Sequence, residues 1–307
     1  MEMLKGLIVG TENASDLVER LEQEWRGGQK RRIAFYGLRE GGEIKELPLD
    51  RLLPWWRQEL EGILRQWNLL SQECLCIAEL PEAVEAARKL GIPCIGYQDP
   101  QKPWREFPGL DWVLEGFEEI DGLFLEQVHT RALGLPAVIG TTKRLLIREM
   151  EEGDLDTLYE LYGDPQARRF VKGLHKDREV ELSRTQAYIR YMYGLHQFGM
   201  WVIQEREGGA LIGRVGFGLV DYRGKTELDF GYLIGSAWRG RGYAQEACQA
   251  ALSYGKERLM FSKVSAFIHP ENEPSLAVIR KLGFAERGTV EAEGETVLWF
   301  EKDLQAE

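Results

Sequence analysis

The pattern of apolar residues changes character near positions 137–143, and that change divides the 307-residue chain into two folds. Ahead of it, short apolar runs alternate with segments of helical period. Gly6–Gly10 reads as a buried strand, and 14–26 as an amphipathic helix with Leu17, Val18, Leu21 and Trp25 on one face. Arg32–Gly37, Cys74–Ala78, Ile92–Tyr97 and Trp112–Leu114 read as further strands. Pro54 is placed to open a helix Trp55–Trp67, because proline suits a first helical turn. Gly91 and Gly134 stop two more helices, Pro81–Leu90 and Glu118–Leu133. Strand–helix alternation of this kind predicts a mostly parallel sheet covered by helices. Beyond the change, two helical segments (154–163 and 179–197) precede longer strands, Met200–Arg206, Leu211–Asp221 and Glu227–Ile234, joined by Gly-rich or charged turns at Glu205–Gly209 and Tyr222–Lys225. The expected fold class is α/β: a Rossmann-like parallel-sheet domain over 1–140, then a mixed-sheet domain over 143–307. Each is long enough to bury its own core.

Charge narrows the function classes. The first 142 residues hold 16 basic and 24 acidic side chains, net −8, and the remainder 23 and 26, net −3. Neither half has the basic excess of a nucleic-acid binder. Any basic patch for a phosphorylated ligand must therefore be local. Cys74 and Cys76 stand two apart in a strand, on opposite faces, which suits neither a disulfide nor a shared metal. With Cys94 and Cys248 they read as small buried residues in a reducing compartment. The N-terminus, Met1-Glu2-Met3-Leu4-Lys5-Gly6, lacks the apolar core of a signal peptide, and no run approaches the length of a membrane span. The expected location is cytoplasmic, with no membrane or nucleic-acid partner; the oligomeric state is open.

The most informative stretch runs from Glu227 to Phe284. A strand ending at Ile234 leads through the loop Arg239-Gly240-Arg241-Gly242-Tyr243-Ala244 into a helix, Gln245–Leu259. A strand (Lys263–Ile268) and a helix (Ser275–Leu282) follow, closed by Gly283-Phe284. A glycine-rich loop feeding a helix N-terminus offers unpaired backbone N–H groups and partial positive charge to a phosphate. Arg239 and Arg241 add positive charge in an acidic chain.

This loop fits the R-x-x-G-x-A signature of the GNAT acetyltransferases, and Asn272-x-x-Ser275 with Lys281-Leu282-Gly283-Phe284 matches their second signature. Leu146–Met150 followed by Asp154-Leu155 resembles their first strand and helix, so the resemblance covers about 143–304 and is nearest the ribosomal-protein N-acetyltransferase branch. It implies a GNAT-fold acyltransferase domain that moves an acetyl group from the cosubstrate acetyl-CoA to an amine acceptor, either a small molecule or a protein N-terminus. It also implies that the cosubstrate lies along Tyr232, Leu233 and Ile234 and on Arg239, Gly240, Arg241, Gly242, Tyr243 and Ala244. Asn272 and Ser275 are implied as further contacts, and Arg280 or Lys281 as a partner of the adenosine phosphate. The carboxylate before Gly231-Tyr232 is Asp229, the implied base; family members usually have Glu there, so a bridging water is expected. Glu227, two residues earlier on the same face, is the fallback. The tyrosine that many members place seven residues after the asparagine is Ile279 here, which leaves Ser275, Tyr232 or water to protonate the departing thiolate, or the thiolate to leave unprotonated. Glu246 and the lone His269 read as structural.

Residues 78–97 resemble the late strand–helix–strand of haloacid-dehalogenase-like phosphatases, over about 70–135. Glu79 and Ala83 stand where that family carries a metal-holding acid pair, and Val9-Gly10-Thr11-Glu12 replaces its D-x-D nucleophile. A phosphoaspartyl mechanism needs that carboxylate. The expectation is a degenerate domain without phosphatase chemistry. Two functions stay open: an amine N-acetyltransferase, and a non-catalytic acyl-CoA sensor or partner-binding protein. The acceptor has no portable signature, although Tyr159, Tyr162, Tyr188, Tyr191 and Trp201 are candidates to line its groove as well as candidates for the core.

Overall fold

A computed structural model of the protein describes residues 3–25, 31–35, 49–222, 224–292 and 294–305. The chain divides into two compact units, 1–137 and 138–307. In the first, five strands are β1 (Gly6–Gly10), β2 (Arg32–Phe35), β3 (Cys74–Ala78), β4 (Cys94–Tyr97) and β5 (Val113–Leu114). They form one parallel sheet in the order β2-β1-β3-β4-β5. Helices are α1 (Ser15–Trp25), α2 (Leu49–Trp67), α3 (Pro81–Lys89) and α4 (Gly122–Ala132). The central strands are buried on both faces, which is why they read as unbroken apolar runs. Leu7, Val9, Leu75 and Ile77 pack with Leu17, Leu21, Leu125 and Val128. Ile8, Cys76 and Ala78 pack on the other side with Trp56, Leu60, Ala83 and Ala87.

In the first unit two helix starts differ most from the sequence expectation. Pro54 lies inside α2, which begins at Leu49. The buried stripe Leu52, Trp56, Leu60 and Ile63 runs straight past the proline, and a proline near a helix start forfeits few ladder bonds. α4 begins at Gly122, not Glu118, because the Asp121 side chain accepts the Phe124 N–H at 2.8 Å and caps the helix there. The expected ends Arg26, Tyr36 and Gly37 lie outside the described residues.

The second unit holds β6 (Val138–Thr141), β7 (Leu145–Arg148), β8 (Met200–Glu205), β9 (Leu211–Tyr222), β10 (Lys225–Ile234), β11 (Lys263–Ile268), β12 (Ala285–Ala292) and β13 (Glu295–Asp303). Their order is β12-β13-β11-β10-β9-β8-β7-β6. All neighbours are antiparallel except β10 and β11. Helices are α5 (Leu155–Gly163), α6 (Arg178–Tyr188), α7 (Tyr243–Glu257) and α8 (Glu273–Lys281). α7 and α8 begin at Tyr243 and Glu273 in place of the expected Gln245 and Ser275. A single core joins the sheet to α7 through Trp201, Phe217, Phe230, Cys248 and Ala251. The helical segment expected over 179–197 changes at Ile189 into a π-helix, Ile189–Leu195. The wider turn brings residues five apart onto one side. Tyr188 accepts the Met200 N–H at 2.6 Å, and Tyr193 donates to the Met200 carbonyl at 2.6 Å, so both tyrosines pin the start of β8.

All four cysteines are buried and unbridged, and burial pushes the Cys74 thiol up to about 12. Among the described residues, no helix is long and apolar enough to cross a membrane.

Candidate active site

The site begins where β10 ends. The chain turns through Ser236–Trp238 into the Arg239–Gly242 loop and then into α7. Gly240 and Gly242 sit at φ +72° and +78°, the left-handed region that glycine enters without steric cost. Gly242 is the N-cap of α7, and the ladder opens with Glu246 N–H on the Gly242 carbonyl at 3.1 Å. The amides of Tyr243, Ala244 and Gln245 precede that ladder and point out of the helix start, where the macrodipole adds positive potential. Gly240, Arg241 and Gly242 are exposed, so the loop presents backbone to a ligand.

The side chains of the loop divide by role. Arg239 is committed inward: its guanidinium donates to the Ile234 carbonyl at 2.9 Å, to Gln166 at 2.7 Å and to Asp164 at 2.6 Å. It braces the loop from behind. Tyr243 is buried and donates to Glu205 at 2.9 Å. Arg241 is exposed, 5.6 Å from the Trp238 ring, and is the loop cation left to face an anion. Sequence reasoning missed Arg144. Its guanidinium lies 4.2 Å over the Tyr243 ring and bonds the Arg241 carbonyl at 2.9 Å and Glu246 at 2.7 Å. Glu246 also accepts from Thr142 Oγ1 at 2.6 Å and from the Arg144 amide at 3.0 Å. It is the post that ties the start of β7 to α7, which accounts for it structurally. No local pattern marks such a pair, because its members stand 102 residues apart.

On the other side of the loop the sheet opens. β10 and β11 pair in parallel at Asp229↔Ser265, and β10 then runs on to Ile234 without that partner. Asp229 sits at the fork. Burial pushes its carboxyl up to about 6, against the pull of the Phe230 and Phe267 amides. Glu227 lies on the same face, beside Lys263. Tyr232 points to the opposite face, where its hydroxyl donates to Ser275 Oγ at 3.4 Å. Burial pushes this phenol up to about 12, although the Ser275 bond pulls it down. Asn272 caps α8 by accepting the Ser275 N–H at 3.3 Å. The side chains of Leu233 and Ile234 are buried, so those residues offer backbone alone to a ligand. Ile279 is 1% exposed and belongs to the core.

The remaining candidates have structural partners. His269 accepts the Glu271 N–H at 3.1 Å and lies against Phe170. Arg280 bonds Glu286, whereas Lys281 is exposed. Trp201 is core, Tyr159 donates to the His175 carbonyl, and Tyr162 accepts from buried Arg214. Tyr191 is exposed on the π-helix.

The sheet thus opens between two parallel strands, with a glycine-built turn of exposed backbone at the helix start beyond the opening. The family described as acetyltransferase (GNAT) domain matches residues 144–285. An N-acetyltransferase of Bacillus subtilis, YnaD, is 32% identical over 149 residues, 48% of this chain and 83% of its own. The p20 N-acetyltransferase of Bacillus licheniformis is 30% identical over 151 residues, 48% and 82%. The ribosomal protein uS5-alanine N-acetyltransferase of Escherichia coli is 29% identical over 164 residues, 50% and 81%. The chain belongs to the GNAT family of N-acetyltransferases, which transfer an acetyl group from acetyl-CoA to an amine.

Proposed function

We propose that acetyl-CoA is held by this chain with its pyrophosphate on the amides of Gly240–Ala244 and beside Arg241, and with its pantetheine along the unpaired edge of Tyr232–Ile234. The fork at Asp229 is the observation that carries this reading: it exposes strand backbone and a carboxyl with a raised pKa at one point. Asp229 takes the proton of the attacking ammonium, directly or through water. The amine nitrogen then attacks the thioester carbonyl, the C–S bond breaks, the sulfur leaves as thiolate, and the nitrogen's remaining excess proton passes to water. Tyr232, with its phenol at about 12 against about 8.5 for an ordinary thiol, does not surrender its proton outright. It serves as a hydrogen-bond donor to the sulfur, and Ser275 connects it to solvent. The helix-start amides and Arg241 supply the local positive charge that an acidic chain otherwise lacks.

Residues 143–307 are read as the transferase domain. Residues 1–140 are read as a Rossmann-like, haloacid-dehalogenase-like domain that has lost its chemistry. Support comes from Glu79, which is 2% exposed and already engaged by Thr11 at 3.2 Å, Lys102 at 2.6 Å and Arg105 at 2.8 Å. Lys102 and Arg105 share its Oε1 and already supply the positive charge that a magnesium ion would bring.

The test is release of free thiol from acetyl-CoA by the full chain, screened over small amines and peptide N-termini. Acceptor-dependent thiol is the expected result, and acetyl-CoA binding without it across the screen favours the sensor reading. The same protein with magnesium and p-nitrophenyl phosphate is expected to release no nitrophenol; robust hydrolysis overturns the reading of residues 1–140.

A further inference from the structure

The face of the sheet that carries Asp229 has a gap in its side chains. Asp229 pairs with Gly218 of β9 on one side and Ser265 of β11 on the other, and directly paired residues project to the same face. A Cβ built on Gly218 would meet nothing within 4 Å. The neighbouring Gly231 is bare on the same face, and its nearest neighbour there is Met200 Sδ at 4.0 Å. The gap ends at Gly216, the partner of Gly231, where the Gly199 carbonyl occupies the Cβ position at 2.0 Å. Across the strand from the gap stands an aromatic wall. Trp299 donates from Nε1 to Ser265 Oγ at 3.1 Å, and Tyr222 lies 5.3 Å from Trp299 and 5.7 Å from Phe267. The opening is thus a slot over bare strand, bounded by Gly199 and Met200 at one end and by aromatic rings on one side, with a carboxyl in its floor.

Such a slot has a chemistry. Its floor lacks side chains for two residues, and sheet strands lie only about 4.8 Å apart, so it takes a slender group. Backbone and a carboxylate at its base favour a cation over an anion. On that face Lys263 is engaged with Glu301 at 2.9 Å, and Arg214 with the Met200 carbonyl at 2.8 Å and Tyr162 at 3.2 Å. We propose that the acceptor enters through this slot over Gly218 and Gly231, and that the slot selects a primary amine whose carbon neighbour is small or unbranched. This rests on the acetyl-transfer reading of Asp229 and adds the acceptor's size and path. A peptide beginning with a small residue and a free alkylamine share this chemistry.

The slot is tested without knowing the acceptor by Gly218→Cys, since the four native cysteines are buried. Aminoethyl methanethiosulfonate, itself a slender primary ammonium, is expected to label the new thiol at least about tenfold faster than the anionic sulfonatoethyl reagent. No labelling, or faster labelling by the anion, overturns the proposal. In parallel, Gly218→Val places a strand-favouring side chain in the gap. Acetyl-CoA is expected to raise its melting temperature as in the wild type, while acetylation of an alanine-starting hexapeptide and of n-butylamine is measured separately. Whichever the wild type acetylates should fall at least about a hundredfold, which identifies the source of the amine. Turnover within threefold of wild type overturns the proposal. A wild type that acetylates neither probe counts against those acceptors, and the labelling rates still decide the slot.

Discussion

Each unit buries a carboxyl where strands end or part, and the two are treated in opposite ways. Glu79 follows β3 in the parallel sheet and is met by Thr11, Lys102 and Arg105. Asp229 stands at the β10–β11 fork, where two backbone amides draw its carboxyl down against a larger effect of burial. One carboxylate has its charge answered by the fold, and the other keeps an unanswered demand for a proton. A proton acceptor near neutral pH needs the second condition, because a pKa is raised by withholding compensation. The two units thus give an acid opposite surroundings although both place it where strands end or part.

Removing each charge separates the two cases most sharply. Asp229→Asn should lower turnover by about 10²–10⁴-fold, the range for a positioned base, with acetyl-CoA binding nearly unchanged. Glu79→Gln should leave turnover within twofold. A loss under a few fold for Asp229→Asn makes it structural and turns attention to Glu227.

Stability should move the other way. A raised carboxyl pKa means the folded state favours the neutral acid, so stability is greatest below the unfolded value and is lost as pH rises through about 6. Ionising Asp229 costs the folded state up to about 3 kcal/mol at 1.36 kcal/mol per unit. Asp229→Asn should therefore melt higher than wild type at pH 8 and show little difference below pH 4. Glu79→Gln should melt lower at pH 8, by roughly 1–3 kcal/mol, because it leaves two cations facing an uncharged site that water partly screens. Melting scans of both variants at the two pH values check this.

Gly242→Asp tests the anion cradle proposed for the second unit and not for the first. Any side chain at φ +78° is strained, and a carboxylate there repels the phosphates of the proposed ligand. At a ligand concentration of about 100 Kd, the wild type should gain about 2.7 kcal/mol from acetyl-CoA, and the variant none. An unchanged thermal shift removes the loop from the site. The smallest effect expected is that of Tyr232→Phe, about tenfold in kcat with KM for acetyl-CoA held, since it removes a donor and keeps the ring. The pH profile of kcat/KM should rise with pH and level off above about 6, following Asp229.

The sequence made the parallel sheet of the first unit readable because its central strands are apolar throughout and two of its helices stop at glycine. It also marked Gly240, Gly242 and Asp229, which sit in a strand–loop–helix order that survives in one dimension. What it concealed depends on partners remote in the chain. Arg144 and Glu246 look like ordinary surface charges until the fold sets them together. Gly218 reads as one more strand glycine, since the emptiness above it belongs to its neighbours. The π-helix has the composition of a plain helix, and only the joint hold of Tyr188 and Tyr193 on Met200 distinguishes it.

The post at Glu246 has a consequence for the order in which the molecule is made. Thr142 and Arg144 leave the ribosome about a hundred residues before the glutamate that fixes them. At about 5–20 residues per second the wait is some 5–20 seconds, during which the first strands of the second unit exist without the helix start they belong to. The tie between the start of β7 and α7 is therefore closed only once Glu246 has been made, and a chain that stops short of it lacks that tie. On the proposed reading, capacity to bind acyl-CoA reports that the two ends of a long stretch of chain have met.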